Sequence, residues 1–226
     1  MNHRSLLYVT TALIFVFSCQ KKTGVEATIN NTFSSIKGST TSATTTLSTD
    51  GVEVQPFFHK GVGRAIGKDT AKRWINNFIQ KNGTKKDYTI TSTSLQQILS
   101  QPNCIGLCLY YGVDDAGKVH ILPIGINEAQ SVIKMNTVPT ESGSINWETA
   151  MLWRARYIGT VKAHFFGANT FDRLINKQGS PAIRTTLATN DTNAPQLLLS
   201  NSTEGDPRDY EDESAACPTA CPTGFQ

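Results

Sequence analysis

A chain of 226 residues that is 38% hydrophobic and 17% charged, with 17 Gly and 9 Pro, is neither collagen-like, nor a coiled coil, nor wholly disordered. It has room for one ordinary domain or two small ones. A formal net charge of +3, with no Lys/Arg run longer than two residues, excludes a dedicated nucleic-acid binder.

Residues 1–18 read as a signal peptide. A short basic start at His3 and Arg4 precedes a mostly apolar stretch, Leu6 to Phe17, too short to span a bilayer as a final anchor. It ends in Val16-Phe17-Ser18-Cys19, which resembles a bacterial lipoprotein signal with Cys19 as the lipidated first residue of the mature chain. Phe17 departs from the usual small or aliphatic residue, and a plain signal peptide is the simpler alternative. Acyl chains on Cys19 anchor strongly, since each buried CH₂ contributes ~0.8 kcal/mol and more than one chain is attached.

Residues 19–51 read as a disordered Ser/Thr-rich tether. Between Lys21 and Asp50 there are fourteen Ser/Thr and no helical or strand period. Such a segment buries too little apolar surface to offset its ordering entropy.

Residues 52–140 and 141–200 read as two α+β units. Thr70 to Ile79 lines up with Thr149 to Ile158, sharing Thr, Ala, Trp and Ile. In the first copy Ala71, Trp74, Ile75, Phe78 and Ile79 lie on one helical face. Gly67 and Asn146 are the expected N-caps, with Asp69 and Glu148 in the first turns. Gly83 and Gly159 are expected to end these helices with positive φ.

The match continues 76 residues apart. Short strands are expected at Tyr88 to Ile90 and His164 to Phe166. Amphipathic helices follow, N-capped by Ser94 and Thr170. Two hairpins close the units: Ile105–Tyr111 with Val119–Ile126, and Ala182–Ala188 with Gln196–Leu199. Pro195 in the last return strand suits a sheet edge. The expected fold is therefore α+β: two related α-β-α-β-β halves with small antiparallel sheets, flanked by a disordered N-terminal tether and C-terminal tail. Ligand sites tend to lie in clefts between such halves.

Residues 201–226 read as an acidic tail with a Cys-x3-Cys. Glu204, Asp206, Asp209, Glu211, Asp212 and Glu213 face only Arg208. Such a run is expected to be solvated, or else to lie on the basic body. Cys217 and Cys221 are expected to be disulfide-bonded to each other in an oxidising envelope, stiffened by Pro218 and Pro222. A four-thiolate zinc site with Cys104 and Cys108 is the alternative. On a regular strand Cys104 and Cys108 share a face about 13 Å apart and cannot bond each other. That leaves cross-pairing with the tail, or two buried free thiols.

Gly106 to Asn127, reading GLCLYYGVDDAGKVHILPIGIN, and the terminal Cys217-Pro-Thr-Ala-Cys221-Pro look like small uncharacterised cell-envelope lipoproteins of Bacteroidota. Those proteins pair a lipobox with a helix-then-hairpin body and a Cys-Pro-x-x-Cys-like end. Cys108 stands where the family pattern has Arg. The resemblance implies an address and brings no activity.

No nucleophile triad, zinc-protease motif or paired carboxylates present themselves. Gly61 to Gly67 reads as a turn and helix cap. His120 near Asp114 and Asp115, and His164 beside two Phe, are the only acid–base candidates. They read as an exposed strand histidine and a partly buried one, so no catalytic, metal or cofactor residue is assigned. The reading is a membrane-tethered envelope lipoprotein of the outer membrane or periplasm. It is held by lipid on Cys19, with an envelope protein as its candidate partner, and is a non-enzymatic binding or structural module. An unfamiliar enzyme with a site between the halves is the alternative. A histidine within reach of both a carboxylate and an open pocket would favour it.

Overall fold

The computed structural model describes residues 57–202, 207, 209–212, 214–217 and 221–224. The signal peptide, Cys19 and the tether lie outside the described residues.

The chain runs β1 (Arg64–Gly67), α1 (Lys68–Asn82), β2 (Asp87–Thr91), α2 (Ser92–Leu99), β3 (Cys104–Val113), β4 (Val119–Asn127), β5 (Thr137–Thr140), β6 (Gly143–Asn146), α3 (Trp147–Arg156), β7 (Ala163–Gly167), α4 (Ala168–Asp172), β8 (Ala182–Thr189), β9 (Pro195–Asn201), β10 (Asp209–Asp212) and β11 (Ala215–Cys217). A π-helical turn, Arg173–Lys177, prolongs α4. This is an α+β fold with small antiparallel sheets.

Local chemistry sets the helix ends. Asn146 caps α3 by accepting from Thr149 N–H at 2.7 Å. Gly67 precedes α1 without a side-chain bond, and Gly83 ends α1 at φ 80°. Gly159 plays no such part: α3 stops at Arg156 and Tyr157 is already extended. Thr91, not Ser94, caps α2; its hydroxyl accepts from Ser94 N–H.

The expected hairpins form, but neither segment keeps its strands to itself. One sheet has the order β1-β10-β9-β8-β2 and the other β11-β7-β3-β4. Strand β2 therefore joins the β8–β9 hairpin, and β7 joins the β3–β4 hairpin. The registers correspond. Asp87 lies opposite Thr186 in one sheet, and Ala163 opposite Tyr110 in the other, positions 76 apart on both strands. The pairing has a physical motive: a two-stranded hairpin is marginal alone, and a third strand gives it a face to bury.

The two sheets enclose an inner core. Tyr88, Ile90, Ile183, Leu197 and Leu199 meet Leu107, Leu109, Tyr111, Ile121 and Phe166, with Leu95 and Ile98 of α2 and Phe171 of α4 between. Helix α1 covers the outer face of the first sheet through Ala71 and Ile75 on Leu198 and Tyr210. Helix α3 covers the other sheet through Ala150, beside Cys108, Tyr110 and Phe165. Each fully buried Leu, Ile or Phe contributes roughly 1.5–3 kcal/mol.

The C-terminal segment is not a free tail. β10 lies between β1 and β9, and β11 pairs with β7. The acidic run is not simply solvated: Glu211 and Asp212 are each 2% exposed. Arg173 clasps Glu211 through Nε at 2.9 Å and Nη2 at 2.6 Å, and its Nη2 also donates to Gly63 O and Thr170 Oγ1. A bidentate partner makes burial of that carboxylate tolerable. Since β10 flanks it, β9 is an inner strand. Pro195 fits there because it is the first residue, beyond the reach of β10.

Candidate functional site

The β3–β4 turn and the β5–β6 turn meet at His120. Its Nε2 lies 2.9 Å from Asp114 Oδ2 and its Nδ1 2.8 Å from Glu141 Oε1. The second contact is close but off the hydrogen-bond direction, so it is electrostatic rather than an aligned bond. Trp153 of α3 stacks on the ring at 4.6 Å between centroids. Lys118 Nζ lies 3.1 Å from Glu141 Oε1.

Asp114 is fixed from behind by Ala116 and Lys118 N–H groups at 2.9 and 2.8 Å. The His120 hydrogen bond, with those backbone bonds, holds its carboxyl below the usual range. The expectation of an exposed His120 fails, since the ring is 3% exposed. Strand alternation turned it under α3, a contact that the hairpin sequence by itself does not contain.

Glu141 also lines a cavity of about 290 Å³. One wall is β2 and α2, with Thr89, Thr91, Ser94 and Gln97. The other is the β5–β6 hairpin and its approach, with Met135, Thr137, Pro139, Thr140 and Ser144. The lining is rich in hydroxyls, and Glu141 is the one charged residue in it among the described residues. A second cavity, about 280 Å³, opens beside Phe78, Tyr111, Tyr157, Leu187 and Pro195. Tyr111 and Tyr157 stack there at 5.0 Å.

His164 is fully buried, not partly. Its Nδ1 contacts Ser214 Oγ at 2.7 Å, while Nε2 has no hydrogen-bond partner. Burial pushes the imidazole down to about 4. It lines neither cavity.

Cys217 and Cys221 form a disulfide with a Cα separation of 4.9 Å. Cys104 and Cys108 are free, buried thiols. They do not share a face: a β-bulge between Cys104 and Gly106 shifts the register, so Cys104 joins the inner core and Cys108 the opposite one. Burial pushes the Cys108 thiol up to about 12 and raises that of Cys104. Among the described residues no group of three or more His, Cys, Asp or Glu is placed to hold a metal ion. No helix among them is long and apolar enough to cross a membrane.

No family model, curated protein or solved structure matches the chain.

Proposed function

We propose that the chain is a lipid-anchored envelope module that binds its partner and does not convert it. The observation that carries this is the closure of His120. Asp114 holds one ring nitrogen, Glu141 faces the other, Trp153 covers a face, and the buried ring lines neither cavity, so a molecule bound there does not reach a ring nitrogen. The cluster acts as a clamp between two turns. Glu141 alone belongs both to the clamp and to the hydroxyl-lined cavity, which leaves that cavity suited to hydrogen-bonded recognition. Enzyme chemistry would need the ring itself open to the cavity.

The anchor reading is supported by the Val16-Phe17-Ser18-Cys19 ending and the Ser/Thr-rich segment after it. It places the module at the outer membrane or periplasmic face, as in the Bacteroidota lipoproteins it resembles. The body is read as two related halves that exchange strands. Support comes from the matched registers and from paired tethers: Arg156 holds Asp115 at 2.6 Å, and Arg73 holds Asp191 at 2.8 Å, each joining a helix to a hairpin turn.

Two measurements test the reading. Mass spectrometry of the mature N-terminus should find acylated Cys19; an unmodified terminus beyond it refutes the anchor. Pull-down from the native envelope should recover a specific component, and its absence refutes the binding role.

A further inference from the structure

We propose that the cavity between β2 and the β5–β6 hairpin is a slot for an extended polypeptide strand of small, uncharged residues, added to the outer edge of β2. This rests on the binding-module reading and names its partner chemistry.

Two strand edges face the slot. Leu187 N–H donates to Lys86 O at 3.0 Å. Antiparallel alternation then makes Tyr88/Thr185 and Ile90/Ile183 the hydrogen-bonded pairs. The main-chain groups of Asp87, Thr89 and Thr91 therefore point away from β8, across the end of the sheet. Across the slot, Trp147 N–H donates to Asn136 O at 3.2 Å, so the same alternation turns Thr137 and Pro139 away from β6. Thr89, Thr91, Thr137 and Pro139 all line the cavity. Among the described residues nothing pairs with the outer edge of β2.

The corresponding edge elsewhere in the fold is filled by main chain. Tyr111 N–H donates to Lys162 O at 3.0 Å, 76 residues from the Leu187–Lys86 bond on both strands, so β7 turns Ala163, Phe165 and Gly167 outward as β2 turns Asp87, Thr89 and Thr91. There β11 pairs antiparallel with Ala163 to Phe165. The chain before β1 continues the cover. Val62 O accepts from Gly167 N–H at 2.9 Å and from Thr170 Oγ1 at 3.0 Å, and Gly63 O accepts from Arg173 at 3.1 Å. The residues 76 positions before Gly167, Thr170 and Arg173 are Thr91, Ser94 and Gln97. All three line the open slot. One edge is thus closed by extended backbone, and its counterpart presents the same geometry to a cavity.

An exposed edge with free N–H and C=O groups is a template for strand addition unless a bulge, proline or inward charge blocks it. β2 is a regular five-residue strand without proline. The occupant's character follows from the walls. They offer hydroxyls and one carboxylate, whose Oε1 already faces His120 and Lys118. The strand on the counterpart edge is Ala-Ala-Cys. Small uncharged side chains suit both.

The test uses the full chain and a phage-displayed library of random heptapeptides as probe, with enriched peptides then synthesised. The expected peptides are poor in charged residues. They slow amide hydrogen exchange at Thr89 and Thr91 at least tenfold. Thr89→Pro deletes an outward N–H and no bond to β8, and should weaken binding at least tenfold. Ser94→Tyr fills the slot from α2 and should do the same. Retained exchange protection of Tyr88 and Ile90 verifies each variant's fold; if either loses it, the wild-type footprint decides. No enrichment, protection confined to another surface, or wild-type binding by both folded variants overturns the proposal. A chain acylated at Cys19 that holds an envelope component without protecting Thr89 and Thr91 keeps the binding role and loses the slot.

Discussion

His164 should make the fold acid-sensitive between pH 6.5 and 4. The ring is fully buried, edge-on to Tyr111 at 6.0 Å, with one nitrogen on Ser214 and the other unpartnered. Burial disfavours the imidazolium and lowers the folded pKa from 6.5 to about 4. In the unfolded chain the ring titrates near its ordinary value. Between these limits the unfolded state binds a proton that the folded state refuses. Stability therefore rises with pH across the window and is lost as pH falls. The shift corresponds to about 3 kcal/mol, fully lost below pH 4. The carboxyls held low, Asp114, Asp172 and Asp191, titrate below 3.8 and act beneath this window. Urea unfolding of the wild type and of His164→Phe, followed by Trp fluorescence at pH 7.5, 5.5 and 4.5, isolates the effect. The wild type should lose about 2 kcal/mol more than the variant between pH 7.5 and 4.5. Parallel pH profiles for the two proteins would refute the account of a neutral buried ring.

Arg173→Ala leaves Glu211 buried without its cation and should destabilise by about 3–5 kcal/mol in urea unfolding. Glu211→Gln in the same background should recover part of that loss. Native alkylation followed by peptide mapping should leave Cys104 and Cys108 unlabelled, label them after denaturation, and recover Cys217 and Cys221 as one linked fragment until reduction. Truncation after Ser202 removes β10 and β11, exposes the edges of β1, β9 and β7, and should abolish the cooperative unfolding transition; a folded truncate would show that these strands are dispensable.

Much of the local structure was legible because it depends on neighbours in sequence. Ala71 and Ile75 repeat at helical spacing, Asn146 precedes a helix it can cap, and Asp114 to Gly117 can only turn. What was not legible depends on partners far along the chain. The acidic residues 209–212 look solvated until Arg173, 38 positions from Glu211, is brought beneath them. The cysteine spacing implies one face until a bulge at Ile105, visible only against β4, shifts the register. His120 looks exposed because strand alternation does not say what covers either face; here it is Trp153 of α3.

The slot was the least legible feature, for a reason that is topological. A strand's sequence reports which face is buried through its alternation, and Tyr88 and Ile90 do so in β2. It does not report whether the strand's sides are paired, because main-chain donors and acceptors are the same for every residue but proline. Whether Thr89 and Thr91 meet another strand or open space follows from the topology that puts β2 on the β8–β9 hairpin, last in its sheet among the described strands. An α-β-α-β-β half closed on itself would have placed β2 beside β3. This cross-pairing of strands thus builds the inner core and, among the described residues, leaves one edge of β2 unpaired. The same arrangement gives β7 an edge, and there the chain spends its own C-terminal strand and the segment before β1 to cover it. Among the described residues these covers lie on one edge only, which is why the other is the place to look for a partner.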